Sequence, residues 1–372
     1  MGSTRAMVLV APRTLVSREL GIPRVGKDDG LLRIEACGLC GTDHEEFTGE
    51  LFPGYPFVPG HESVGIVEQV GPDAAARWGV REGDRVAVEV FLSCRTCEAC
   101  RAGMTQRCER HGLADMYGFV DVKRAPGLWG GYAQRQYLAP DSVLCPVPAG
   151  IDPVTATMFN PLGAGIRWGV TVPGTREGDI VVVLGPGIRG LSACAAAKDA
   201  GAAFVMVTGR GPRDAPRLAA ARGMGADLAV DSATTNAVAA LRDATGGLAD
   251  VVLDVTAKAP EAFAESIRLA RPGGTVVVAG TRGGGTGVTC DPDQIVSKEL
   301  RVLGALGVDS PSYARALELL AERRFPFEAL PRRVVGLDEV GDLLPEMAGE
   351  GAIPPVHAVV VPDAQGCSDA GA

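Results

Sequence analysis

Residues 179–200 read DIVVVLGPGIRGLSACAAAKDA, and this stretch decides the fold. A continuous apolar run, Ile180 to Leu184, ends in glycine, and a small-residue segment with helical composition follows it. That order predicts a buried strand, a tight turn and a helix. The turn is Gly185-Pro186-Gly187-Ile188-Arg189-Gly190, a GxGxxG hexapeptide. Alone it is a weak signal, because a chain with 50 glycines can match it by chance. Between a strand and a helix it reads as the phosphate-cradling fingerprint of a dinucleotide site. Gly185 makes the turn and Gly187 lets the backbone approach a pyrophosphate. Gly190 lets helix and strand pack closely, and Ile188 lies on the turn where the helix N-terminus faces the anion.

The same rhythm continues outward. AAFVMVTG, LADVVLDVT and TVVVAG read as further buried strands, and APRLAAARGMGA and a segment running through IRLARPGG read as the helices between them. Strands alternating with helices indicate a doubly wound parallel sheet. Before about residue 150 the texture is different: LLRIEACG, ESVGIVEQVG and DRVAVEVFL are β-rich runs bounded by turn residues. The last part holds a helix, SYARALELLAERR, and a final strand, HAVVVP. The expected fold class is α/β, a β-rich domain followed by a nucleotide-type domain with a C-terminal return.

At roughly 150 residues per domain, a chain of 372 residues suggests about two domains. Its 36 basic and 45 acidic residues give a net charge of −9, which argues against a broadly basic nucleic-acid surface. No apolar stretch approaches the ~18–20 residues of a spanning helix. The N-terminus has only a short apolar run, with Ala6 where a myristoylation signal wants Ser or Thr. The expected location is the cytoplasm.

Cys94, Cys97, Cys100 and Cys108 fall in CRTCEACRAGMTQRC, at intervals of 3, 3 and 8. Such spacing brings four thiolates around one point, as tetrahedral zinc favours. A disulfide pair and an iron–sulfur cluster are the alternatives. Four thiolates leave no open coordination position, so a zinc there is structural. A second constellation comprises Cys40 in CGLCGTDHEE and His61-Glu62 in PGHESVGIVEQVG. One thiolate, one imidazole and one carboxylate form an incomplete set that leaves a position open for chemistry. Cys37 reads as core, and His44, His111 and His357 lack partners at ligand spacing.

The second strand of the alternating region ends in VMVTGRGPR, where an acidic residue would hold the adenosine ribose. Gly209 stands there instead, followed by Arg210 and Arg213. A glycine leaves space for a 2′-phosphate and an arginine can pair with it, which favours NADP over NAD. Alternatively, both arginines are solvated and Asp214 folds back to the ribose.

Taken in order, GHExxGxVxxVG (Gly60 to Gly71), GDRV (Gly83 to Val86), the four-cysteine segment and the GxGxxG resemble the zinc-containing medium-chain dehydrogenase/reductase family. This family includes the alcohol, sorbitol, threonine and glucose dehydrogenases, and CGTDHEE is closest to its polyol and glucose branch. The resemblance implies a GroES-like catalytic domain, 1–154 and 306–372, carrying a structural-zinc lobe at about 94–108. A Rossmann domain, 155–305, is then inserted between its two parts.

By the same resemblance Cys40 and His61 bind a catalytic zinc, and Glu62 is a ligand or supports one. Thr42 takes the place of the proton-relay hydroxyl. Two departures stand out. Glu45 occupies the position of the relay histidine of alcohol dehydrogenases, and Asn160 stands where the family commonly has Glu, Asp or Cys as a further zinc ligand. An amide oxygen is the poorer ligand.

The implied activity is reversible oxidation of an alcohol, with two zinc ions per chain and NADP(H) favoured over NAD(H). The implied partners are a small alcohol or carbonyl and further copies of the chain, as a dimer or tetramer, with no nucleic acid and no membrane. The rival readings are a zinc-independent NADPH reductase of enones or quinones and a non-catalytic dinucleotide-binding relative.

Overall fold

A computed structural model of the chain describes residues 2–113, 115–282, 287–347, 350 and 353–364. It divides into two compact units, one formed by Met1–Asn160, Asp309–Glu322 and Pro331–Ala372, the other by Pro161–Val308 and Arg323–Leu330.

In the first unit, a sheet runs in the order Arg332–Val335, His357–Val360, Gly30–Gly38, Glu62–Val70, Arg85–Val88, Leu144–Pro146, with Arg135–Leu138 also pairing with Gly30–Gly38. Gly30–Gly38 is buried along most of its length. It pairs antiparallel with Glu62–Val70, Gly38 lying opposite Glu62 and Cys37 opposite Ser63. A core of Val8, Leu32, Ile34, Val67, Val86 and Trp129 fills one side of the unit. Leu39, Phe47, Tyr132, Leu337 and Leu343 belong to a second cluster that packs the helix Gly41–Thr48. Exclusion of these side chains from water, at roughly 1.5–3 kcal/mol each, holds the elements that carry the candidate metal ligands.

In the second unit, six parallel strands run Leu228–Asp231, Phe204–Gly209, Ile180–Leu184, Ala249–Asp254, Ala270–Val278, Arg301–Gly304. In chain order this is 3-2-1-4-5-6, the doubly wound arrangement that places ligand turns at the strand C-termini. Val181, Val182 and Val183 are fully buried, as expected of a central parallel strand covered on both faces. One helix ends earlier than its sequence suggests. Glu261–Leu269 is helical, whereas Ala270–Val278 is already strand. Pro272 and two glycines in ARPGG disfavour the helix, and pairing with Ala249–Asp254 completes the strand. No helix among the described residues is long and apolar enough to cross a membrane.

Glu89, just beyond the strand Arg85–Val88, is 1% exposed, and Cys145 Sγ donates to its Oε1 across 3.6 Å. Its other oxygen has no hydrogen-bond partner. Burial raises its pKa to about 7, against hydrogen bonds from Ser310 and Cys145 that lower it. The folded chain therefore holds a proton at Glu89 that the unfolded chain has released above the ordinary carboxylate range. The associated stability is fully present below about pH 4.5 and is lost as pH rises through about 7. Glu89→Gln should flatten the fall in stability between pH 5 and pH 8 and stabilise the protein by about 2 kcal/mol at pH 8. Urea unfolding at a series of pH values measures this.

Candidate metal centre and dinucleotide site

Cys40 precedes the helix Gly41–Thr48 as its N-cap, in an extended conformation. Asp43, on the first turn, accepts the Cys40 N–H at 2.7 Å, which fixes the thiol's approach to the helix start. The pairing of Gly38 with Glu62 then brings His61 and Glu62 to the same place. The sulfur of Cys40, a ring nitrogen of His61 and a carboxylate oxygen of Glu62 lie within 4.8 Å of one another, and all three residues are buried. A Cβ on Gly38 would lie 2.4 Å from Glu62 Oε2, so a larger residue here would displace the Glu62 carboxylate.

The polar surroundings of His61 are unusually anionic. Asp43 Oδ1 is 3.7 Å from His61 Nδ1, and Asp43, Glu46 and His61 also have ligand atoms within 4.8 Å of one another. Asp43 Oδ1, both oxygens of Glu46, His61 Nδ1 and the Tyr132 hydroxyl are buried without a hydrogen-bond partner. Burial lowers the His61 pKa, but Asp43, Cys40 and Glu62 together outweigh it and raise it to about 10. Burial likewise pushes the Glu46 carboxyl well above its usual range, with the Asp43 charge adding to it. Such a pocket stabilises positive charge, and its sulfur, nitrogen and oxygen donors match the ligand chemistry of zinc.

Thr42 Oγ1 is 3.6 Å from Cys40 Sγ. Glu45 is one helical turn further on, partly buried and on the same face as Thr42. Asn160 is 2% exposed in the helix Phe159–Ile166 and donates from Nδ2 to the Tyr313 hydroxyl at 3.2 Å.

The sulfurs of Cys94, Cys97, Cys100 and Cys108 also lie within 4.8 Å of one another, and the thiols are unbridged. Cys94 and Cys100 sulfurs are 3.9 Å apart. A tetrahedron with zinc–sulfur bonds of about 2.3 Å has edges of about 3.8 Å, so the arrangement fits that ion. Hydrogen bonds from Thr96 and from the Cys97 N–H hold the Cys94 thiol below its ordinary range, the state that metal binding needs. Of the remaining histidines, His44 meets Glu350, His111 bridges Asp115 and Asp141, and His357 contacts Thr157. Cys37 is fully buried and packs in the core.

In the second unit Gly185 has φ +102°, a left-handed conformation open to glycine, and Gly187 is the N-cap of the helix Ile188–Asp199. A Cβ on Gly190 would lie 1.8 Å from the Gly185 carbonyl oxygen. The turn thus leaves the first N–H groups of that helix open to an anion. At the end of the neighbouring strand the expected room beside Gly209 is filled. A Cβ there would lie 2.8 Å from Pro186 Cγ and 2.9 Å from Asp214 Cβ. Arg210 pairs with Glu261, and Arg213 is exposed.

Sequence reasoning overlooked Asp43, Glu46 and Arg217. Asp43 was legible as the third residue of a capping pattern after Cys40. Arg217 was legible as an i,i+3 partner of Asp214, which it meets at 3.4 Å.

Two family models match the chain: the alcohol dehydrogenase GroES-like domain over residues 26–149 and the zinc-binding dehydrogenase over residues 190–322. The chain is 65% identical over 360 residues, 96% of its length and 98% of the relative's, to "Probable alcohol dehydrogenase adh" of Mycobacterium tuberculosis. It is 33% identical over 313 residues, 81% of its length and 82% of the relative's, to the erythritol/L-threitol dehydrogenase of Mycolicibacterium smegmatis. Among solved structures, a "putative zinc-binding dehydrogenase" of Sinorhizobium meliloti bound to NADP superposes with a TM-score of 0.83 at 31% identity, covering 97% of this chain and 100% of that one.

Gly190→Ala should weaken dinucleotide binding at least about tenfold while leaving metal content unchanged, measured by equilibrium titration and elemental analysis. Equal loss of metal would show instead that the substitution damages the whole fold. With its GroES-like and dinucleotide-binding parts both matched and a relative at 65% identity across nearly its whole length, the chain belongs to the zinc-containing medium-chain dehydrogenase/reductase family.

Proposed function

We propose that the protein is a zinc-dependent alcohol dehydrogenase that interconverts an alcohol, polyols included, and its carbonyl by hydride exchange with a nicotinamide dinucleotide. The observation that carries this reading is the buried Cys40, His61 and Glu62 set, three donors gathered within 4.8 Å amid excess negative charge. A zinc ion held by these residues supplies Lewis acidity, lowering the pKa of an alcohol hydroxyl as it lowers that of water. Thr42 accepts the hydroxyl proton and passes it outward, with Glu45 on the same helix face as the next acceptor. Asp43 fixes the Cys40 backbone and sets a carboxylate 3.7 Å from His61 Nδ1, close enough to act on its charge. Asn160, whose amide nitrogen donates to Tyr313, is read as a weak ligand or a substrate contact.

The four-cysteine segment holds the second zinc and does no chemistry. The dinucleotide is held at Gly185, Gly187, Ile188 and Gly190, with Gly209, Arg210 and Arg213 at its adenosine end. NADP(H) is favoured by the arginines and by the NADP found in the Sinorhizobium meliloti relative. Unbridged thiols suit the reducing cytoplasm. A homodimer or larger homo-oligomer is supported by the edge strand Arg301–Gly304. There, Val302 is 39% and nearby Leu306 55% exposed, beside backbone groups that can pair with a second copy.

Elemental analysis should give two zinc ions per chain, and Cys40→Ser should remove one of them. Turnover of alcohols should then fall more than about 100-fold while NADP binding persists. One zinc in the parent protein, retained in Cys40→Ser, would move the zinc-independent reductase of enones or quinones to first place. Thr42→Val should retain both zinc ions yet lower kcat about 100-fold, followed as NAD(P)H absorbance.

A further inference from the structure

The end of the strand Phe204–Gly209 is where doubly wound dinucleotide sites place a carboxylate for the adenosine ribose. This chain has glycine there, but the space is not empty. A Cβ on Gly209 would lie 3.2 Å from Asp214 Oδ2, as well as against Pro186 of the phosphate turn. The carboxylate is delivered from the following loop.

Several contacts hold it in place. Asp214 Oδ2 accepts the Arg210 N–H at 2.9 Å, and Asp214 Oδ1 is 3.4 Å from Arg217 NH1. The side chains of Asp214 and Arg217 are both 18% exposed, so this pair is largely shielded from water. Asp214 is the N-cap of the helix Ala215–Gly223, yet its side chain makes no capping hydrogen bond. It turns toward Gly209 instead, forgoing a favourable local interaction. The loop itself is pinned from the next strand. Asp231 Oδ1 accepts the Gly211 N–H at 2.8 Å and the Ala233 N–H at 2.9 Å, and Ser232 Oγ donates to the Gly209 carbonyl at 3.0 Å.

We propose that Asp214 is the cofactor-selecting residue, a loop-borne substitute for the missing strand-end carboxylate that lets the site accept NAD alongside NADP. An acceptor-only group beside Gly209 receives hydrogen bonds from a free ribose diol. The same negative charge opposes a 2′-phosphate and competes with it for the Arg217 guanidinium. Arg210 and Arg213 supply the compensating positive charge, so NADP is admitted with only a modest advantage. The inference rests on the dinucleotide reading of the second unit.

The test is equilibrium titration of the full-length, zinc-loaded protein with NAD and NADP, and with the fragments 5′-AMP and 2′,5′-ADP, which carry only the adenosine end. The parent protein should bind both dinucleotides within about tenfold of each other. Asp214→Asn keeps the shape and removes the charge. It should weaken NAD and 5′-AMP about tenfold while tightening NADP and 2′,5′-ADP by a similar factor. Asp214→Ser, which retains a helix-capping hydroxyl, should shift selectivity in the same direction and serves if Asn unfolds the loop. Equal effects on both dinucleotides, or none, would overturn the assignment, as would a parent protein that rejects NAD by 1,000-fold or more. Failure of the parent protein to bind either dinucleotide would sink the dinucleotide reading itself, a result distinct from bound but unselective cofactor.

Discussion

Antiparallel pairing that sets Gly38 opposite Glu62 is the constraint on which the candidate metal centre depends. Cys40 follows the first strand and His61 precedes the second, so one register brings together ligands from distant parts of the sequence. A slip of one residue would turn Glu62 to the opposite face and disperse the set. The approach is so close that a side chain on Gly38 would push the Glu62 carboxylate from its place. Asp43 completes the arrangement by holding the Cys40 backbone with one oxygen and facing His61 with the other. The cost is a concentration of buried carboxylates, which a proton or a bound cation relieves.

The second unit solves a different problem with the opposite sign of charge. Its fingerprint presents backbone N–H groups at a helix start, and Gly190 exists so that the helix can lie against the Gly185 carbonyl. Such a turn suits an anion through its backbone groups, and the side chains near it lie at the end of the neighbouring strand. Pro186 and Asp214 both approach Gly209 closely, so the GxGxxG turn and the loop after the second strand are neighbours.

Much of this was legible in one dimension because its signals are local. Alternating apolar runs and small-residue helices marked the parallel sheet, since buried strands need no polar face. The cysteine spacing marked a four-thiolate cluster because the ligands lie within a single loop. The misread segment, ARPGG, failed for a related reason. Its helix-breaking residues were visible, but strand pairing with Ala249–Asp254 was not. Beside Gly209 the sequence left two alternatives open, and the fold brings Asp214, five positions along the chain, against that glycine.

By itself the sequence determined the α/β class, the alternation that builds the doubly wound sheet, and the residue types able to bind zinc and a pyrophosphate. Those properties follow from composition and short-range spacing. Only the tertiary structure decided that Asp43 and Glu46 crowd His61, that Tyr313 takes the amide of Asn160, and that Asp214 lies against Gly209. Each of these depends on side chains meeting across strand register, helix packing or a folded loop. Burial then fixes their charge and partners, and spacing along the chain carries no record of that burial.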